Sequence, residues 1–179
     1  MPLYYNGTAI KKLYFNGTKI SKAFYNGTQV FSDEYVIYDY GTTYTGYASG
    51  TYQNSGGITY GADFINVEGR GIMMFGPVNL SEYSSLALTC SSTVKGNNTI
   101  KFGIVNPNYA PPNLGDWKYI NDYDSNFLAL TRIAASDFGS GTGIRTYTCN
   151  IANAVRSNVC ILVSVDIGMS LAIDRIVAS

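Results

Sequence analysis

The side chains best equipped for chemistry lie between Asn106 and Asn126, in the stretch NPNYAPPNLGDWKYINDYDSN. It holds the only Trp of the chain, Trp117, with Tyr109, Tyr119 and Tyr123 close by and Asp116 and Asp122 between them. Aromatic rings stack on the apolar C–H faces of sugars, and Asp or Asn side chains hydrogen-bond the hydroxyls. A long irregular loop in a compact domain is also where function tends to sit. These residue types together point to a glycan-contacting loop built from Trp117, Tyr119, Asp116 and Asp122, with Tyr109 and Tyr123 alongside. The same aromatics would equally pin a long loop onto its own domain or against a neighbouring subunit.

Other chemistries find less support. The chain contains no His, which excludes Ser-His-Asp and Cys-His nucleophilic pairs and any imidazole zinc site. Cys90, Cys149 and Cys160 are too few for an all-Cys zinc site. Each sits in an apolar, strand-like run and reads as a small buried hydrophobe, the alternative being one disulfide with a leftover thiol. Asp122-Tyr123-Asp124-Ser125-Asn126 begins like a calcium loop, but Phe127 stands where Gly is needed and Ile133 where a bidentate Glu is needed. Sugar hydrolysis would need two paired carboxylates. Asp63, Glu68, Glu82, Asp116, Asp122 and Asp124 are available, and no spacing singles out two of them. The Gly-rich stretches at Gly56-Gly57 and Gly139–Gly143 lack the Gly-Lys-Ser/Thr ending of a phosphate loop. The chain therefore reads as a non-enzyme with no cofactor and no metal.

These candidate loops must be held by a scaffold, and composition bounds it. The 179 residues carry 12 Lys+Arg against 12 Asp+Glu, only 13% charged, with 46% hydrophobic residues and 16 Tyr. That suffices for one folded domain with a small appendage. Zero net charge removes the long-range attraction used by binders of nucleic acid and anionic membranes. Neither partner is expected. No run of about 18 apolar residues offers a membrane span. The start, Met-Pro-Leu-Tyr-Tyr-Asn-Gly, lacks the basic and apolar regions of a secretory leader, so synthesis in a host cytoplasm is expected.

Residues 1–33 are a repeat. Tyr4–Ile10, Tyr14–Ile20 and Phe24–Val30 each read aromatic-aromatic-Asn-Gly-Thr-x-aliphatic. Asn-Gly favours a type I′ turn, because both central residues need positive φ. Pairing across the turn sets Leu3, Tyr5, Thr8 and Ile10 on one face. Leu13, Phe15, Thr18 and Ile20 share a second such face, and Ala23, Tyr25, Thr28 and Val30 a third. A meander of very short strands results, too small to fold alone. Its apolar face must meet its own domain, sister chains or a larger assembly. Leu3, Tyr5, Ile10, Leu13, Phe15, Ile20, Tyr25 and Val30 are thus the anchoring or oligomerisation residues. Asn6, Asn16 and Asn26 also match a glycosylation pattern, and read as turn chemistry instead.

Residues 34–179 show short alternating runs: Leu86–Cys90, Ile100–Ile104, Tyr147–Ile151 and Leu171–Val177. Further runs are Tyr35–Tyr38, Phe64–Val67, Gly71–Phe75 and Phe127–Thr131. Val159, Ile161, Val163, Val165 and Ile167 form one apolar face with Leu162 behind it, which predicts a central strand. Asn150–Arg156 is compatible with a single helical turn. Many short strands punctuated by Gly, Asn, Ser and Asp predict an all-β fold: an antiparallel, jelly-roll-like β-sandwich preceded by the hairpin repeats.

The repeat motif Tyr-x-Asn-Gly-Thr-x-Ile-x-Lys resembles N-terminal repeats in phage structural proteins. Pro77–Leu86 resembles a stretch of their carbohydrate-binding-module-like sandwiches, as do Tyr147-Thr148-Cys149-Asn150-Ile151 and Ile173-Asp174-Arg175-Ile176, although Asn150 stands where the pattern carries an acid. The resemblance implies a virion fibre, appendage or decoration protein on the head or tail. Its repeats would bind other virion proteins or form a homotrimer, and its sandwich would contact host-surface glycans. A capsid decoration protein with only virion contacts and a free bacterial carbohydrate-binding module are the alternatives.

Overall fold

A computed structural model describes residues 4–6, 8–10, 13–20, 22–43, 45–51, 57–94, 99–107, 127–138 and 143–179. The chain divides into two units, Met1–Tyr35 with Ser179, and Val36–Ala178.

The first unit consists of three two-stranded hairpins: β1 (Tyr4–Tyr5) with β2 (Thr8–Ala9), β3 (Leu13–Phe15) with β4 (Thr18–Ile20), and β5 (Lys22–Tyr25) with β6 (Thr28–Ser32). Tyr5, Phe15 and Tyr25 face Thr8, Thr18 and Thr28 across the turns. Asn6, Asn16 and Asn26 take φ of 49°, 48° and 47°, and Gly17 and Gly27 take 78° and 77°. That is the left-handed pair a type I′ turn demands, which Asn-Gly supplies at little steric cost. Two details depart from the expected meander. Among the described residues each hairpin forms a sheet of its own. In the third, a bulge makes Phe31, not Val30, the partner of Ala23.

The second unit is an antiparallel β-sandwich. One sheet runs β10 (Gly57–Tyr60), β11 (Ile65–Glu68), β18 (Met169–Ala178), β13 (Ser85–Val94), β16 (Arg145–Asn150). In it β7 (Tyr35–Asp39) also pairs with β18, and β8 (Thr42–Thr43) with β7. The other sheet runs β15 (Phe127–Ala134), β14 (Thr99–Val105), β17 (Val159–Val165), β12 (Gly71–Val78), β9 (Tyr47–Thr51). Cross-strand register sorts the side chains. Ile65, Val67, Leu86, Leu88, Cys90, Leu171, Ile173 and Ile176 of the first sheet face Met73, Phe75, Phe102, Ile104, Ile161 and Val163 of the second, and all are buried.

The predicted central strand is β17, buried at every position. It ends at Val165, however: Ile167 lies in the following turn and is 53% exposed, outside the apolar face expected of it. Asn150–Arg156 forms turns, and the helical turn falls elsewhere, as a short 3₁₀ segment at Ala135–Phe138 whose Phe138 packs on Tyr147. The three cysteines are buried and free.

The two faces turned away from the core differ. On the first sheet that face is small and polar: Thr89 and Thr146 hydroxyls lie 3.0 Å apart, and Arg175 Nε meets Asp39 Oδ1 at 3.0 Å. This is the alternation expected of a sheet wet on one side. On the second sheet it carries an apolar cluster of Ile72, Met74, Val105, Cys160 and Leu162, with Phe127 packed against it. Side chains close both edges of the sandwich. Thr131 Oγ1 donates to Thr148 O (3.1 Å) between β15 and β16, and Ser49 and Tyr60 hydroxyls meet at 3.1 Å between β9 and β10.

Candidate functional site

Trp117, Tyr119, Asp116, Asp122, Tyr109 and Tyr123 all lie outside the described residues, as does the calcium-like stretch Asp122–Asn126. The strands that carry this segment are described. Val105 of β14 is the cross-strand partner of Phe127 of β15, and both belong to the second sheet's outer apolar cluster. Of the anchoring residues, Leu3 lies outside the described set. Ile10, Leu13, Ile20 and Val30 are half-buried, whereas Tyr5, Phe15 and Tyr25 are 70%, 69% and 70% exposed. The three aromatics are thus presented alike by their three hairpins.

A second aromatic group surfaces on the sandwich itself. Tyr38 is buried and packs on Phe75, ring centroids 6.1 Å apart. Phe75 is in turn the cross-strand partner of Tyr47 on β9, so both rings leave the sheet on the same side. Tyr47 then meets Tyr60 of β10, from the opposite sheet, at 5.8 Å and an interplanar angle of 49°. An aromatic row therefore runs from the core to the edge and ends in an open V whose two rings are each 51% exposed. Ser49, two residues beyond Tyr47, brings its hydroxyl to the phenol of Tyr60.

Local backbone holds this ledge. The β10–β11 turn is closed by Gly61 N donating to Phe64 O (2.9 Å), and the Phe64 ring occupies the space a Cβ on Gly61 would need. The tip is backed by Gly41 (φ +88°), where a Cβ would overlap the carbonyl oxygen of Ala62. Only glycine satisfies both the left-handed φ and that close approach. The Gly41 N–H donates to Tyr38 Oη (3.0 Å) and the neighbouring Tyr40 N–H to Asp174 O (2.8 Å), tying the turn to the core. Sequence reasoning missed Tyr47 and Tyr60. The usable signals were the alternation Tyr47-Ala-Ser49-Gly-Thr51 and the turn residues Gly61-Ala-Asp63 between two aromatics.

Several carboxylates hold the fold. Glu68 accepts from Asn66 (2.5 Å), which in turn accepts from Ser170 (2.9 Å). Asp39 pairs with Arg175. Asp137 caps Ala134 N (2.8 Å), and Asp166 accepts from Ile167 N (2.8 Å). Among the described residues no cluster of three or more His, Cys, Asp or Glu is placed to hold a metal. Asp174 is 9% exposed, its buried Oδ2 has no hydrogen-bond partner among the described residues, and burial raises its pKa. Burial, and then the nearby Asp174 carboxylate, pushes the Cys90 thiol up to about 12; burial also raises Cys149 and Cys160. Such thiols stay protonated and unreactive at neutral pH.

No protein-family model and no curated protein matches the chain. Solved structures do. A variant of a family 29 carbohydrate-binding module superposes with a TM-score of 0.52 at 16% identity, over 81% of this chain and 89% of its own. A second variant of a family 29 module, complexed with mannohexaose, gives the same four values. A further family 29 module gives 0.50 at 16% identity, over 81% of this chain and 86% of its own. The fold is that of a carbohydrate-binding-module β-sandwich.

Proposed function

We propose that Val36–Ala178 is a non-catalytic glycan-binding module and that the hairpin repeats attach it to an assembly. The observation carrying the reading is the sandwich fold, similar to that of a family 29 module complexed with mannohexaose, together with an exposed aromatic pair on a closed edge. Binding sites for sugars combine aromatic faces with a few placed polar groups, and the ledge offers both. The full chain is expected to bind glycans immobilised on an array and to release no reducing ends from them. Failure to bind any glycan class would overturn the module reading, and release of reducing ends would overturn its non-catalytic part.

The repeats make up the second half of the proposal. Three equivalent hairpins each present a largely exposed aromatic, and two-stranded hairpins of this length need an external surface for stability. Their resemblance to phage repeats supports a place on a virion, as a fibre or appendage trimerised or docked through Tyr5, Phe15 and Tyr25. A capsid decoration role would use the same contacts. The full chain is expected to be a homo-oligomer, a trimer by preference, by light scattering. The triple variant Tyr5→Thr, Phe15→Thr, Tyr25→Thr is expected to be monomeric with an unchanged melting temperature for the sandwich. A monomeric wild-type chain would remove the self-assembly reading and favour docking onto a different protein. The likeness to carbohydrate-binding modules also supports a second reading, a bacterial module acting outside any virion. Glycan binding that is equal in the monomeric triple variant would favour it.

A further inference from the structure

We infer that the Tyr47–Tyr60–Ser49 ledge, at the edge where β9 and β10 meet, is a binding site for a neutral saccharide. The inference rests on the glycan-module reading and gives it a location that neither the long aromatic loop nor a sheet face supplies.

Three observations converge on the ledge. The first is its shape. A ring separation of 5.8 Å at 49° leaves a splayed pair, each ring half exposed, so a sugar's C–H face has an aromatic surface to lie on without prying apart a closed stack. The second is its polar equipment. Ser49 Oγ and Tyr60 Oη sit 3.1 Å apart with either able to donate. Each hydroxyl can donate one hydrogen bond and accept another, as a sugar hydroxyl can, so the pair can exchange its mutual bond for bonds to vicinal hydroxyls. The third is rigidity. Tyr47 is set by the buried Phe75 across the ladder and Tyr60 by the buried Ile65. Both rings are positioned before any ligand arrives, which reduces the ordering cost of binding.

Charge selects the class of sugar. The elements that build the ledge, Tyr47–Thr51 and Gly57–Glu68, contain two carboxylates, Asp63 and Glu68, and no Lys or Arg. The exposed Asp63 stands on the same hairpin tip as Tyr60. A uronic acid, sialic acid or sugar phosphate would meet like charge with no compensating cation on these two elements, whereas a neutral hexose or N-acetylhexosamine would meet none.

The test uses the full chain on an array of neutral hexose and N-acetylhexosamine glycans beside glycans ending in uronic or sialic acid. The strongest neutral binder is then titrated by calorimetry. Tyr47→Ala and Tyr60→Ala are expected to weaken binding at least about tenfold, the loss typical of a central aromatic anchor. Ser49→Ala, which keeps both rings, is expected to weaken it about threefold, as the loss of one hydrogen bond does. Because removing a ring also disturbs the sandwich edge, Tyr60→Phe is the control: melting unchanged, affinity lowered about as much as by Ser49→Ala. Trp117→Ala and Tyr119→Ala, in the loop the sequence singles out, decide between that loop and the ledge. Binding that survives the ledge variants but is lost in Trp117→Ala would overturn the ledge and leave the module reading standing. Binding confined to acidic glycans would overturn the neutral class. A wild-type chain that binds nothing on the array overturns both.

Discussion

Replacing Phe75 by Ala is expected to destabilise the sandwich by about 3–5 kcal/mol, the usual cost of deleting a fully buried aromatic ring. Phe75 is 0% exposed and lies between the buried Tyr38 and the surface ring of Tyr47. Its ring is also opposite Ile161 on the central strand β17. These neighbours are themselves anchored on three strands, β7, β9 and β17, so the cavity cannot collapse cheaply. The void would be felt in two directions: inward as lost packing, and outward as a loss of the support under Tyr47. Urea unfolding of the full chain, followed by tryptophan or far-UV signals, measures the first. The midpoint should fall with little change in slope, since the surface exposed on unfolding is nearly the same. A loss below about 1 kcal/mol would mean that the row from Tyr38 to Tyr47 is not a packed unit.

Much of this fold was legible in the residues, and the reasons are physical. Asn-Gly announces its turn because few other pairs tolerate two positive φ values, and the three hairpins form where that pair stands. Leu86–Cys90 and Ile100–Ile104 alternate cleanly because one face of each meets the core, and β17 reads as apolar at every position but Ser164 because both its faces are buried. Strands β9 and β10 escaped notice. Their Ala48, Gly50 and Gly57 have weak strand preference of their own, and pairing to β12 and β11 holds the strands. Val30 was misassigned because a bulge cannot be seen in a repeat that looks regular, and Ile167 because its alternation continues past the point where the ladder stops.

The candidate site was less legible, since Tyr47 and Tyr60 lie on different strands of different sheets and only the closure of the sandwich brings them together. An aromatic-rich loop is conspicuous in one dimension. A ledge shared by two edges is not.

Asp174→Asn is expected to raise stability at pH 7, because it keeps the side chain's shape while removing the charge that burial penalises. It should also flatten the dependence of stability on acid. Asp174 is the residue by which β18 exceeds its partner β13 at a bulge, between Ile173 and Arg175. Its backbone carbonyl is satisfied by Tyr40 N, but Oδ2 is buried without a partner among the described residues. The guanidinium next to it in sequence, that of Arg175, is engaged with Asp39. The groups whose ionisation it opposes, Tyr38 and Cys90, are themselves raised chiefly by burial and are neutral at pH 7, so they offer no compensating charge. Burial alone therefore lifts the carboxyl above its usual value of 3.8. The sign follows from proton counting. Near neutral-to-acid pH the folded state holds this proton more tightly than the unfolded chain, so stability is greatest below the unfolded value and declines as pH rises through the folded one. Asn has no such proton to lose. Urea midpoints measured from pH 4 to pH 8 should thus fall for the wild-type chain relative to Asp174→Asn, the two curves converging at the acid end. Parallel curves would show that the carboxylate is solvated in the folded state, and the burial penalty assigned to Asp174 would be gone.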